Sequence, residues 1–309
     1  MKKNNCIFCD LPNNHIVIQE NGYDGIQCSQ CDLIYISPQP PFAEIVNMYS
    51  HDMAHLTAAS HISASFAKRL YAKHSISLIR KFIKTGTMLE IGAGAGYFLD
   101  EARNKSFDVY GIELNLIQAA FTRETLKIPC EVSTLDASLF GGKKFDIIYL
   151  CDVISHLYDP ISEFCKINTM LNRHGFLVFE TGNLGDVKKE YYRHFSKFQY
   201  PDHLFFFSEN NLRELLRKKG FALVAIYRYS ILLQLILTEK INSILHFFKP
   251  PIKDGKDKQF VEKAYNYGFN ITSNFFIDYF SYFIRYKVGY VVPRKGRPQT
   301  VIIVARKIN

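Results

Sequence analysis

Apolar residues along the chain change period in a regular way. Short, near-continuous hydrophobic runs at 88–91, 109–114, 130–134, 145–150, 176–181 and 221–229 read as strands. Between them lie stretches whose apolar positions recur every three or four residues, at 97–105, 117–126, 161–171 and 210–219. These read as helices. Strands that are apolar on both faces need cover on both faces, and alternation with helices supplies it. The expected fold is α/β, a Rossmann-like doubly wound, mostly parallel sheet. Ligands of such sheets bind at the carboxyl ends of the strands.

Three departures frame this core. Prolines at 38, 40 and 41 mark a linker, followed by helical patterns at 42–49 and 60–84. Residues 231–287 interrupt the alternation with two helical stretches, "ILLQLILTEKINSILHFF" and "ITSNFFIDYFSYFIRYK", before the closing strand "TVIIVARK". The expected organisation is a small unit at 1–37, a linker and helical cover at 38–86, a core at 87–230 plus 298–309, and an aromatic, basic helical insertion at 231–297.

The N-terminal unit is defined by its cysteines. Cys6, Cys9, Cys28 and Cys31 form two C-x2-C pairs. Two knuckles at that spacing supply four thiolates for a tetrahedral zinc ion. Four thiolates leave no open position, so the expected role of the zinc is structural. The intervening residues read as two strands about a turn at Asn21-Gly22 or Asp24-Gly25. Two disulfides are the competing reading, and they fit poorly with an N-terminus that lacks an apolar secretion signal. Cytoplasmic residence is expected, since no apolar run approaches the length of a spanning helix.

Charge is unevenly placed. Residues 241–309 carry 12 Lys or Arg against 4 Asp or Glu, whereas residues 1–240 carry 26 against 25. The same C-terminal stretch holds 14 Phe or Tyr. A basic, aromatic end suits an anionic or lipid-linked small molecule, a membrane face met peripherally by Phe247, Phe248, Phe275, Phe276, Phe280 and Phe283, or a solvated rim around an aromatic core. Nucleic acid is the weaker partner. The chain has neither an arginine-dense run nor an Asn/Asp-Pro-Pro-Tyr tetrad for exocyclic amines.

The chemistry concentrates in "LEIGAGAGYFLD", residues 89–100. A strand that runs into Gly92, Gly94 and Gly96 lets backbone approach a ligand closely, because glycine has no Cβ. A dinucleotide fingerprint would place its third glycine at position 97, which is Tyr. Glu90 is the sharper sign. A carboxylate at the turn repels pyrophosphate and suits a ligand that carries an ammonium and a sulfonium, S-adenosylmethionine. Glu113 ends the next strand, where an acid can accept from both ribose hydroxyls. Asp136 follows the third strand and can accept from the adenine amino group.

With these residues in place, the chain resembles the class I S-adenosylmethionine-dependent methyltransferases, in particular a bacterial small-molecule branch that carries a four-cysteine zinc ribbon. "LEIGAGAGYFL" is similar to the first motif of that family. "YGIELN" is similar to its ribose-binding strand end, and "FDIIYLCDVISHLYDP" to its fourth-strand segment. The resemblance implies that Glu90, Gly92, Gly94, Gly96, Glu113, Asp136 and Asp152 line the cofactor site. It implies methyl transfer to a sugar, a lipid-linked glycan intermediate or another secondary metabolite. O-methylation is favoured, because the loop at 201–203 reads Pro-Asp-His where a carbon-methylating branch has a His-Glu-His-like cluster. His203 is the first candidate for the general base, with His156 and His194 behind it. RNA methylation and a non-catalytic protein that keeps the cofactor fold are the alternatives.

Overall fold

The structure is a computed structural model that describes residues 4–12, 14–53, 57–237, 240, 275–292 and 295–308. Most of the expected insertion, including Phe247, Phe248 and the basic loop at 249–258, lies outside the described residues.

The central sheet has seven strands in the order β10-β11-β8-β7-β4-β5-β6. They are β4 (Gly86–Ile91), β5 (Phe107–Glu113), β6 (Cys130–Val132), β7 (Phe145–Cys151), β8 (Leu171–Gly182), β10 (Phe221–Ser230) and β11 (Gln299–Lys307). The pairs β4–β5, β5–β6, β4–β7 and β7–β8 are parallel, and β11 runs antiparallel to both β8 and β10. The chain moves outward from β4 to β5 and β6, then returns to β7 on the other side of β4. That reversal opens a crevice at the carboxyl ends of β4 and β7.

The continuous apolar runs are explained by the pleat. Leu89, Ile148, Leu177 and Ile303 face one hydrophobic core, and their neighbours Met88, Ile147, Val178 and Ile302 face the other. Helices α6 (Pro160–Met170) and α7 (Glu209–Lys218) cover the first face with Phe164, Ile167, Leu212 and Leu215. Helices α3 (Ser65–Ile79) and α4 (Tyr97–Arg103) cover the second with Ile76, Ile79, Phe98 and Leu99. Local capping sets where these helices start. Asp159 caps α6 ahead of Pro160, and Ser208 forms a capping box with Asn211 in α7.

The expected helix over 60–84 is two helices. α2 (Ala58–Ser63) ends at Ala64, whose ψ of 27° leaves the helical range, and α3 begins beyond it. Apolar periodicity records a buried face and is blind to a bend between two pieces that share it. α2 packs on α5 (Leu116–Glu124), and α3 packs on α4.

The N-terminal unit forms a second sheet, β1-β2-β3-β9. β1 (Ile16–Glu20) and β2 (Tyr23–Gln27) make a hairpin, and β3 (Ile34–Ser37) pairs with β2. Of the two candidate turns, Asn21-Gly22 is the one used. Both residues have positive φ, 51° and 80°, as a two-residue hairpin turn requires. The fourth strand, β9 (Phe205–Phe206), comes from the chain between β8 and α7. The ribbon sheet is therefore completed by the core, next to the crevice.

Helix α8 (Phe275–Phe283) continues as a π-helical stretch at Ile284–Val288. Its start is solvent-facing, with Phe276 79% exposed, and its end buries Ile284 and Tyr286. Among the described residues no helix is long and apolar enough to cross a membrane.

The ribbon–core contact is tight at Gly25. A Cβ there would collide with the Tyr200 hydroxyl and lie 2.9 Å from Ile18 Cβ. Tyr200 is only 2% exposed and has no room to retreat. Gly25→Ala is expected to destabilise the fold by about 1–3 kcal/mol, read as a lower midpoint in chemical denaturation.

Candidate functional site

One cavity of about 1130 Å³ runs along the carboxyl ends of β5, β4, β7 and β8. Such a volume lies at the upper end of small-molecule sites and accommodates more than one ligand. The glycine turn forms its floor. Gly92, Gly94 and Gly96 all have positive φ, at 73°, 55° and 72°. A Cβ on Gly92 would also stand 2.5 Å from Val153 Cγ2, so backbone alone fits between β4 and the loop after β7. Gly92 and Gly94 line the cavity. Gly96 sits one step behind it as the N-cap of α4, against Thr122.

Two acids stand at the turn. Glu90 is 4% exposed, and its Oε2 has no partner among the described residues. Burial and the negative charge of Glu113 push its carboxyl well above the usual carboxylate range. Glu113 accepts from the Gly94 N–H at 2.7 Å and from the Asn115 N–H at 2.8 Å, which locks it to the turn. Burial raises its pKa against the pull of those donors. Asp136 lies at the rim, 66% exposed, paired to Lys166 at 2.7 Å. Asp152 follows β7 with φ 53° and also lines the cavity.

The three candidate histidines line the same cavity. His194 is on the outer loop, 3.5 Å from Arg193 Nε. His203 Nδ1 lies 2.9 Å from the Phe198 carbonyl. The carboxylate of Asp202, next to His203 in sequence, lies against His156 instead. Asp202 is 3% exposed, and His156 Nδ1 is 3.1 Å from its Oδ1 and 2.9 Å from its carbonyl. Tyr49, on α1 (Phe42–Ser50), donates to the same Oδ1 and lies 2.9 Å from His156 Nδ1. All the hydrogen bonds of His156 within the described residues fall on Nδ1, which leaves Nε2 available. Burial alone would lower the His156 pKa. The hydrogen bonds and charge of Asp202 outweigh burial and hold it above the usual imidazole value. The His203 ring lies against His156, tilted by 39° with ring centroids 4.5 Å apart.

Several lining residues carry little sequence signal. Tyr49 lies in the expected linker helix, far along the chain from Asp202. Glu180, at the end of β8, accepts from Arg285 at 2.9 Å and from the Tyr286 hydroxyl at 2.8 Å. Arg285 also donates to Thr300 Oγ1 at 2.9 Å. Its position in a π-helical stretch accords with the concentration of such bulges at functional sites. The only hint in the sequence is one Arg within an aromatic run.

The four N-terminal cysteines converge, with their sulfurs all within 4.8 Å of one another. Cys6 and Cys31 Sγ are 3.5 Å apart, far beyond a disulfide bond. The two knuckles repeat each other. In each, an Asp with positive φ (Asp10 at 52°, Asp32 at 61°) donates its N–H back to the first Cys carbonyl. A tetrahedral zinc with bonds of about 2.3 Å needs sulfurs roughly 3.8 Å apart, so the donor set fits that ion.

Residues 63–226, more than half of the chain, match the family model described as a methyltransferase domain. No curated protein matches the sequence. Among solved structures, the chain is similar to a protein described as a sarcosine dimethylglycine methyltransferase from Galdieria sulphuraria. The TM-score is 0.51 at 14% identity, with 77% of this chain and 84% of that one covered. It is also similar to a chain of the Haloferax volcanii complex between the Trm112 methyltransferase activator and its methyltransferase. There the TM-score is 0.51 at 15% identity, with 86% and 98% covered. These likenesses carry the fold, an α/β Rossmann-like sheet, and the matched residues run from α3 through the glycine turn and both acids to β10. The chain belongs to the methyltransferase-domain family of S-adenosylmethionine-dependent enzymes.

Proposed function

We propose that this enzyme methylates an oxygen of a small-molecule acceptor, with His156 as general base and Asp202 holding it in register. The observation that carries the proposal is the sharing of one cavity. The glycine turn with its unpartnered buried acid and a His–Asp pair with a free Nε2 open onto the same space. S-adenosylmethionine, when bound, supplies a methyl group on a cationic sulfur. Glu90 compensates positive charge, Glu113 orients ribose hydroxyls, Asp136 reaches toward the base, and Asp152 stands between cofactor and acceptor. His156 accepts the acceptor's proton at Nε2, and Asp202 stabilises the imidazolium that results. His203, the first candidate from sequence, serves as the neighbour packed against that ring.

The acceptor fits the part of the cavity lined by His156, Leu157, Phe198, Phe205 and Asn183. Apolar walls with a few placed polar groups suit a sugar, a lipid-linked glycan intermediate or another secondary metabolite. Cys6, Cys9, Cys28 and Cys31 hold a structural zinc. Purified protein is expected to contain one zinc per chain by metal analysis and to lose it on Cys28→Ser substitution.

Two measurements test the catalytic reading. Burial and the charge of Glu113 raise the Glu90 pKa in the free enzyme, and a cationic ligand favours its ionised form. Cofactor binding is therefore expected to release protons, detected by calorimetry in two buffers of different ionisation enthalpy. Glu90→Gln abolishes the release and raises the S-adenosylmethionine Kd about tenfold or more. A Gln variant with unchanged proton release and Kd refutes the role given to Glu90.

His156 must be neutral to act. Its pKa is raised, so the rate climbs as pH rises through a midpoint above the ordinary imidazole value. The groups that face it are Asp202, Tyr49, Asp152 and His203. Asp202→Asn removes the dominant raising charge and shifts the acid limb to lower pH. His156→Ala lowers kcat by about 10²–10⁴ with little change in cofactor affinity. If His156→Ala turns over normally, His156 is not the base.

A further inference from the structure

We infer that Glu20, on the zinc ribbon, is a positioning residue for the acceptor side of the site. The inference rests on the reading of His156 and Asp202 as the acid–base pair. Glu20 ends β1, and its two carboxylate oxygens accept from two backbone N–H groups of the core loop. Phe198 N donates to Oε1 at 3.0 Å and Tyr200 N donates to Oε2 at 2.8 Å. The next ribbon residue repeats the hold, with Asn21 Nδ2 donating to the Tyr200 carbonyl at 2.7 Å.

The segment clamped in this way carries the chemistry. The Phe198 carbonyl contacts His203 Nδ1 at 2.9 Å. Asp202 follows two residues after Tyr200 and holds His156. Downstream, β9 becomes the fourth strand of the ribbon sheet, with Phe206 opposite Ile34 and Phe205 opposite Tyr35. Ile36 N donates to the Leu204 carbonyl at 3.0 Å, and Leu204 N donates to the Ser155 carbonyl at 2.8 Å, beside His156. The stretch 198–206 is thus fastened to the ribbon at both ends.

The cofactor residues are fastened elsewhere. Glu90, Gly92 and Glu113 belong to β4, β5 and the turn between β4 and α4, where Gly92 N donates to the Ile112 carbonyl and Glu113 accepts from the Gly94 and Asn115 N–H groups. A carboxylate is well matched to its place in β1, since two amides that converge on one side chain need two acceptor oxygens, and their bonds to an ionised group are the stronger kind. Loss of Glu20 should loosen the acceptor side and leave the cofactor side in place.

The experiment compares wild type, Glu20→Ala and Glu20→Gln by amide hydrogen exchange, by NMR titration of His156, and by cofactor calorimetry. In Glu20→Ala, exchange at Phe198 and Tyr200 is expected to rise about tenfold or more, the His156 midpoint to fall as Asp202 loses its place, and kcat to fall. The S-adenosylmethionine Kd stays at the wild-type value, which also reports that the variant is folded. Glu20→Gln keeps the size and one acceptor oxygen, and gives intermediate protection of the two amides. Unchanged exchange at both amides in both variants, or an unmoved His156 midpoint, overturns the inference. If the amides and the midpoint move while His156→Ala retains full methyl transfer, positioning by Glu20 stands and the assignment of the base falls.

Discussion

Two buried carboxylates on adjacent strand ends set the terms for this cavity. Glu90 and Glu113 lie on neighbouring parallel strands, β4 and β5; burial raises the pKa of both, and the charge of Glu113 adds to the rise at Glu90. Glu113 is compensated by backbone donors of the turn, whereas one oxygen of Glu90 has no partner within the described protein. A buried, unpartnered carboxylate is costly, and a cationic ligand relieves that cost. The same positions that make the turn accessible to backbone approach therefore make it selective for charge. Pyrophosphate, the usual guest of glycine turns, would meet two acids there.

The opposite side of the cavity is built on another principle. It does not belong to the parallel sheet. Tyr49 comes from the first helix, His156 from the loop after β7, and Asp202 and His203 from a segment whose other end is a strand of the ribbon sheet. The small cysteine unit thus braces a wall of the cavity through its contacts to Phe198, Tyr200 and β9. A unit of that size buries too little apolar surface to hold a loop by itself, and its four converging sulfurs are a donor set that a zinc ion would tie together.

These two constructions explain how much of the site was readable in advance. The glycine-turn side of the cavity is made of residues close in sequence. A strand, a tight turn and a helix must follow one another, and an acid at the end of the next strand falls at a nearly constant spacing. Glu90, Gly92, Gly94 and Glu113 could be placed from pattern alone for that reason. Gly96 was placed correctly as part of the turn, yet its crowding against Thr122 shows that it serves helix packing and not the cavity. On the other side, adjacency in sequence does not tell which histidine the Asp202 carboxylate holds. Asp202 stands beside His203 in the chain, but the turn between them points the carboxylate toward His156, 46 residues away.

Sequence by itself determined the alternating α/β order, the two-faced apolar strands, the glycine turn with its acids, and the paired cysteine knuckles. Each is a local rule, written in period, spacing or backbone conformation over a few residues. Tertiary structure alone decided that the ribbon borrows its fourth strand from the core, that Tyr49 and Asp202 converge on His156, and that Arg285 reaches Glu180 from the aromatic segment. Those contacts join residues far apart in the chain. Their partners are chosen by how the sheet and its covering elements pack, and no periodicity or spacing records that choice.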